Sequence, residues 1–346
     1  MTPVVAVDGG ARASCAPLLA VPGIAEATWA AMGAGAEDAS AWAAPLGGAR
    51  ALICGTSDSA QGRAIEGAAR RAARRAGLRI VAVEDFPGNY WDLAGGEADA
   101  VVTESEASAA HLHGRLRERC PALWILPSPR YDALRARSAG LRARYARRDR
   151  RARRVLWAGQ PETADALATL RRLLPALAES GVGLLFRAHP RDPGFARGDY
   201  RALLAGAALE VRDATPMALD ECLALAPELV LTQFSSIGVE AGFHGIPSLH
   251  LLYEDAGARS LRAKKGLSEP PWCASGAAFV LRAEGGERAL LRSALDDEAA
   301  RDRAIAAFDR YFAREGAGLP ALVSRLYNEK FIEPPPLRGP DAGANG

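Results

Sequence analysis

Short apolar runs recur along this chain, separated by longer stretches rich in Ala, Leu and Arg. That alternation is the strongest constraint on the fold. It is a β-α-β rhythm, and such a rhythm builds a mostly parallel sheet covered by helices. In the first half the apolar runs are Val4–Val7, Ala51–Cys54, Arg79–Asp85, Asp99–Ser105 and Ala122–Pro127. Helical pieces fall at Gly62–Ala76 and Ser105–Arg119. Ile80–Val83 is apolar throughout, as a strand buried on both faces must be. The second half predicts strands at Val155–Ala158, Gly183–Ala188, Leu209–Arg212, Leu229–Thr232, Ser248–Leu252 and Ala277–Leu281. It predicts helices at Thr163–Glu179, Pro216–Leu225, Ile237–His244, Glu298–Glu315 and Ala321–Glu329. The two halves share a rhythm but no sequence repeat.

With 346 residues the chain has room for two domains of about 150 residues each. The expected division is 1–150, 151–330 and a tail over 331–346. From Pro334 to Gly346 the tail is rich in Pro and Gly and predicts no fixed structure. Eleven arginines against Asp132 and Asp149 give Arg130–Arg154 a charge of +9, so the rest of the chain carries about −7. One reading is a solvated helix before an interdomain linker. The other is a basic surface for anionic lipid or a polyanionic acceptor.

Overall, 43 basic and 41 acidic residues make no bulk polycation, and 6% aromatic content offers few stacking platforms, so nucleic acid is not expected as a partner. The five cysteines have no C-x-x-C spacing, which predicts neither a disulfide framework nor a cysteine zinc site. No run reaches the ~18 apolar residues of a spanning helix. Ala13–Ala25 has the hydrophobicity of a signal segment but follows an expected strand and contains Pro17 and Pro22. A cytoplasmic location is expected, with peripheral contact to the inner face of the membrane as an option.

In parallel α/β domains ligands bind beyond the carboxyl ends of the strands. After Leu229–Thr232 comes the polar turn Gln233-Phe234-Ser235-Ser236, then a helix containing Glu240. Two hydroxyls and free amides at a helix start suit a phosphate, and Glu240 could accept from ribose hydroxyls. A plain helix cap with an acid near the dipole explains the same residues. Pro190 holds His189 extended at the tip of the strand over Gly183–Ala188. There it could donate to a phosphate or protonate a leaving group, with Arg187 and Arg191 adding positive potential; a turn histidine bonded to backbone is the alternative. Glu84 and Asp85 end the strand Ile80–Val83 in a loop expected to face the gap between domains. Adjacent carboxylates suit a general base, and like charge can raise one pKa; exposed or capping acids are the alternative. Asp8-Gly9-Gly10, Gly55-Thr56-Ser57 and Gly159-Gln160-Pro161 are lesser loops of the same kind. His111 and His113 do not share a helix face, and His244 and His250 read as core or local hydrogen-bonding groups.

Taken in order, VAVEDFPGNYWD, ADAVVTESEASAAHL, ILPSPRYDAL, FRAHP and TQFSSIGVEAGFHGIPSLHL resemble GT-B glycosyltransferases of the superfamily shared with UDP-N-acetylglucosamine 2-epimerases and bacterial capsule and sialyltransferase-like enzymes. The resemblance spans roughly residues 50–255. It implies two Rossmann-like domains facing a central cleft, with the C-terminal helix crossing back. The first domain would offer the acceptor, and the second would bind the nucleotide sugar.

Ser235 and Ser236 would match the phosphate-binding pair, Glu240 the ribose acid, and His189 the His-Pro histidine on the donor phosphate. Glu84 or Asp85 would match the acidic loop that supplies the base, while Arg187 and Gln160 would line the donor site. The implied activity is transfer from a UDP- or CMP-type donor to a glycan, lipid-linked or protein acceptor at a bacterial cell surface. The donor is a substrate, with no cofactor and no metal implied. Epimerases carry His-Arg-Arg-Glu-Asn where this chain has Gly159-Gln160-Pro161-Glu162-Thr163, which favours transfer over epimerisation. An epimerase-like enzyme and a non-catalytic sugar-nucleotide or polysaccharide-binding assembly protein are the alternatives.

Overall fold

A computed structural model describes residues 1–27, 29–148, 153–312 and 318–333. Two six-stranded sheets organise them, and every strand pairing is parallel. The first sheet comprises β1 (Thr2–Val5), β2 (Ile24–Glu26), β3 (Ala51–Cys54), β4 (Arg79–Val83), β5 (Ala100–Thr103) and β6 (Ala122–Ile125). Their spatial order is β2-β1-β3-β4-β5-β6. The second comprises β7 (Arg154–Ala158), β8 (Gly183–Arg187), β9 (Val211–Asp213), β10 (Leu229–Thr232), β11 (Ser248–Leu251) and β12 (Phe279–Leu281), in the order β12-β11-β10-β7-β8-β9.

Burial explains why the interior strands were legible. β1, β3, β5, β10 and β11 are buried at every residue, because helices cover both faces of each sheet. The edge strands β2, β6, β9 and β12 are only partly buried. β2 is three residues long and carries no apolar run, so no sequence pattern marks it. β1 begins at Thr2 rather than Val4.

Successive residues of a strand point to opposite faces. On the first sheet, Leu52, Cys54, Ile80 and Ala82 pack against Ile65, Ala69 and Ala73 of the helix Ala60–Arg75. Their neighbours Ile53, Val81 and Val83 face Leu322, Leu326, Phe331 and Ile332 near the end of the chain. Trp124 meets Phe331 edge to face at 5.4 Å. Residues 331 and 332, expected in the tail, are therefore core; Pro334–Gly346 lies outside the described residues. On the second sheet, Trp157, Leu184 and Leu231 pack on Leu170, Leu173 and Leu177 of the helix Thr163–Glu179. Leu156, Leu185 and Val230 face Cys222, Leu223 and Ala241.

The chain divides after Asp132, not near residue 150. Met1–Asp132 and the stretch from Gly316 form one unit, and Ala133–Glu315 forms the other. Asp132 itself fixes the return: its carboxylate accepts the Gly318 and Leu319 amides at 2.7 and 2.8 Å, capping the helix Gly318–Asn328. Gly318 is required there, because a Cβ would lie 2.3 Å from the Pro127 carbonyl oxygen.

The Arg-rich helix Asp132–Ala146 buries no residue fully, as a solvated helix should, and from Ala133 it is part of the second unit. Ser138 donates to the Phe243 carbonyl at 2.9 Å, and Arg142 makes a bidentate pair with Asp309. Arg137, Arg144 and Arg147 stay exposed. No helix among the described residues is long and apolar enough to cross a membrane.

Candidate functional site

In the first unit the tips of β1, β3 and β4 are tied together by carboxylates. Asp8, after β1, accepts the Asp58 and Ser59 amides at 2.9 and 2.8 Å. Glu66, fully buried on the helix Ala60–Arg75, accepts the Ser57 amide at 2.8 Å and the Ser57 hydroxyl at 2.6 Å. Burial pushes its carboxyl up to about 7 against these bonds.

Glu84 and Asp85 part company. Glu84 is 8% exposed, so it does not face open space as expected. Its oxygens accept the Tyr90 amide at 3.1 Å and the Thr103 hydroxyl at 2.8 Å, closing the loop after β4 onto β5. Burial pushes Glu84 up to about 7, and the neighbouring Asp85 charge adds to the rise. Like-charge crowding, the expected cause, is thus the lesser one.

Asp85 is half-buried and turns the other way. Its Oδ1 accepts the Thr56 hydroxyl at 2.9 Å and the Asn89 amide nitrogen at 2.5 Å. Its Oδ2 lies where a Cβ on Gly10 would approach to 2.4 Å, so only glycine lets the β1 loop sit beside this carboxylate. Two arginines brace the loop from outside. Arg70 is 2% exposed and donates to the Gly96 and Trp91 carbonyls and the Tyr90 hydroxyl. Arg115 donates to the Gly88 carbonyl at 2.8 Å and to that of Tyr90.

The second unit presents different chemistry. β10, β7 and β8 are neighbours in that order, so their tips form a row. At the tip of β10, Thr232 donates to the Ala158 carbonyl at 2.9 Å and accepts the Ser235 amide at 3.2 Å. The Ser235 hydroxyl accepts the Ile237 amide at 3.2 Å. Ser236 occupies the capping position of the helix Ile237–Phe243, yet its side chain makes no capping bond. Glu240 stands half-buried in the first turn.

This helix start packs tightly on β11, since a Cβ on Gly238 would lie 3.1 Å from His250 Nε2. His250 is fully buried, and burial holds it down to about 4. Its Nε2 accepts from the Trp272 indole N–H at 3.3 Å, so its Nδ1–H donates to the Gln233 carbonyl at 3.1 Å. It is a satisfied core histidine that steadies the loop.

At the tip of β7, Gly159 donates to the Arg187 carbonyl at 2.9 Å, and Gln160 is buried beside it. At the tip of β8, His189 is partly buried and pushed down to about 4, first by burial and then by the Arg191 charge. The Arg191 amide donates to His189 Nδ1 at 3.0 Å, which places the ring proton on Nε2. The turn histidine bonded to backbone is thus seen, and the other ring nitrogen is a neutral donor. Arg187 is half-buried at the end of β8, and its charge is felt at His189.

Lys264 was not foreseen. It pairs with Glu162 just beyond the β7 tip, and its charge is felt at His189. A cavity of about 520 Å³ beside edge strand β9, lined by Phe186, Phe195, Tyr200 and Leu204, contains none of the expected site residues.

No family model and no curated protein sequence matches the chain. Solved structures do. The S. aureus MnaA–UDP co-structure aligns over 96% of this chain and 98% of its own, at 12% identity and a TM-score of 0.61. A putative UDP-N-acetylglucosamine 2-epimerase from Listeria monocytogenes aligns over 96% of each chain at 15% identity, also with a TM-score of 0.61. The glycosyltransferase SnogD from Streptomyces nogalater covers 94% of this chain and 98% of its own, at 13% identity and a TM-score of 0.56. The fold is GT-B. Within that fold the strand tips described above occupy the carboxyl ends of both sheets.

Proposed function

We propose that this chain transfers a sugar from a nucleotide-activated donor to an acceptor hydroxyl. The second unit binds the donor, and Asp85 of the first unit serves as general base. The observation that carries the reading is the row of tips on β10, β7 and β8. Neighbouring strands lie ~4.8 Å apart, so the ends of β10 and β8, on either side of β7, are roughly 10 Å apart. That span is wider than a lone phosphate with one hydrogen bond on either side. It suits two linked phosphates, as in a UDP-type donor, better than the single phosphate of a CMP-type donor. UDP is named in the MnaA co-structure at this level of fold similarity.

On this reading the Ser236 hydroxyl and the Nε2–H of His189 donate to phosphate oxygens. Their hydrogen bonds strengthen as negative charge develops on the departing nucleotide. His189, held neutral, acts as a fixed donor rather than as the acid that protonates the leaving group. Glu240 accepts from the ribose. Asp85 takes the acceptor proton, because Glu84 is committed to Tyr90 and Thr103.

The second reading, 2-epimerase chemistry, is favoured by the Listeria structure among the similar folds. One experiment separates them. Melting temperature is followed with UDP, CDP, CMP and GDP, and the nucleotide that raises it selects the donor sugar for turnover. Transfer predicts release of nucleotide only when an acceptor hydroxyl is present. A new sugar epimer formed without acceptor would replace the proposal with epimerisation. No shift with any nucleotide would leave the strand tips structural and favour a binding role for the protein.

A further inference from the structure

Glu162 lies just past the β7 tip, immediately before the helix Thr163–Glu179. The helix Gly257–Lys265 is strapped across the start of that helix: Arg259 and Ser260 both donate to Asp165, whose side chain is 5% exposed. One turn further on, this strap sets Lys264 Nζ against Glu162 Oε1. Three residues before Glu162, a Cβ on Gly159 would come within 3.1 Å of the His189 amide. The lysine–glutamate pair thus stands just past the β7 tip, next to the β8 tip that carries His189. The other Glu162 oxygen, Oε2, is buried and accepts nothing.

We propose that Lys264 is an anion-binding residue held in reserve on Glu162 and transferred to the nucleotide's phosphate groups when they enter. This rests on the reading of the β10-β7-β8 tips as a nucleotide-phosphate site. The side chains of the pair are 29% and 24% exposed, and a pair so open to water contributes at most about 1 kcal/mol. Two linked phosphates together carry more negative charge than one carboxylate and more acceptor oxygens, so they outcompete Glu162 for the ammonium. Glu162 has the opposite effect. Its charge opposes any anion at the β7 tip and competes for the one cation there that the strap delivers. The pair cancels its own charge and gives up its positive member only to an anion. The strap explains why lysine is used: its long flexible stem can swing while the helix behind it stays fixed.

The test is calorimetric titration of the full chain with UDP and with uridine. Lys264→Gln should weaken UDP about tenfold, the loss of one charge-assisted hydrogen bond, and Lys264→Arg should restore most of it. Glu162→Gln should tighten UDP by about threefold, since it removes a competitor and a repulsion. Uridine affinity should be unchanged in all three variants, and the Lys264→Gln defect should shrink as salt rises from low to high. Weaker UDP binding in Glu162→Gln would overturn the proposal and make Glu162 a ligand contact. If wild type binds UDP but neither Lys264→Gln nor Glu162→Gln moves the affinity, this inference alone fails. If wild type binds neither UDP nor any other nucleotide, the phosphate-site reading fails with it. Should Lys264→Gln melt early without ligand, Glu162→Gln still decides the matter.

Discussion

The strand tips of the two units solve the same geometric problem with opposite chemistry. In the first unit Asp8, Glu66, Glu84 and Asp85 gather at the carboxyl ends, and their oxygens are mostly spent on loop amides and hydroxyls. In the second unit the same positions carry Ser235, Ser236, His189 and Lys264, which are donors. A parallel sheet leaves donors and acceptors unsatisfied at its tips. The first unit answers with acids that knit the loops shut. The second ties its β8 loop with Asp192 and its β10 loop with backbone bonds and a buried histidine, and so keeps side-chain donors at the tips for a ligand. Of the first unit's acids, Asp85 is the one turned away from the strand behind it, toward Gly10 and Thr56.

The sharpest way to break this contrast is Asp85→Asn. If Asp85 is the base, turnover should fall by about 10²- to 10⁴-fold while UDP affinity stays unchanged. Turnover that survives would return the first unit's acids to purely structural work. Next is His189→Ala, which removes a neutral donor and should weaken UDP by about tenfold or more. Circular dichroism should show an intact fold, because among the described residues the ring's hydrogen bond is to a single turn amide.

A third expectation concerns pH. Glu66 and Glu84 are raised from 4.5 to about 7, so between those values the folded chain holds protons that the unfolded chain has released. Their contribution is present at low pH and is lost as pH rises toward 7. His189 and His250 are lowered from 6.5 to about 4, so there the unfolded chain binds the extra protons. Their contribution is lost as pH falls through that window. Melting curves at pH 5, 6 and 7 should therefore show Glu84→Gln gaining on wild type as pH rises. Parallel curves for wild type and variant would remove the contrast in proton uptake.

The smallest effect belongs to the surface. Replacing Arg137, Arg144 and Arg147 with Gln should change stability by less than about 0.5 kcal/mol. Co-sedimentation with anionic vesicles should fall, and unchanged sedimentation would remove membrane contact through this face.

Much of this was legible because burial in a parallel sheet leaves an unbroken apolar run. All six second-unit strands and the residues at their tips could be read from Val155–Ala158 to Ala277–Leu281. β2 escaped because an edge strand of three residues needs no such run. The boundary at Asp132 escaped because charge density marks a solvated surface, not a hinge, and the Arg-rich helix is solvated yet docked. In the site, the sequence could pair Glu84 with Asp85 but could not say which one turns inward. That choice depends on Thr56, Thr103, Asn89 and Gly10, which arrive from other strand tips. Lys264 was invisible because it reaches Glu162 across 102 residues of chain.

The Asp132 clamp has a consequence for synthesis. A nascent chain has made every strand of the first sheet by Ile125, yet part of the cover for one face of that sheet lies in residues 318–332. Until that stretch leaves the ribosome, Ile53, Val81 and Val83 have only the early part of their lid, from Ala11, Cys15 and Leu18, and the whole second unit is made and can fold during the wait. The first unit begun is thus the last one finished, and its half-covered sheet is the stage at which a chaperone would find something to hold.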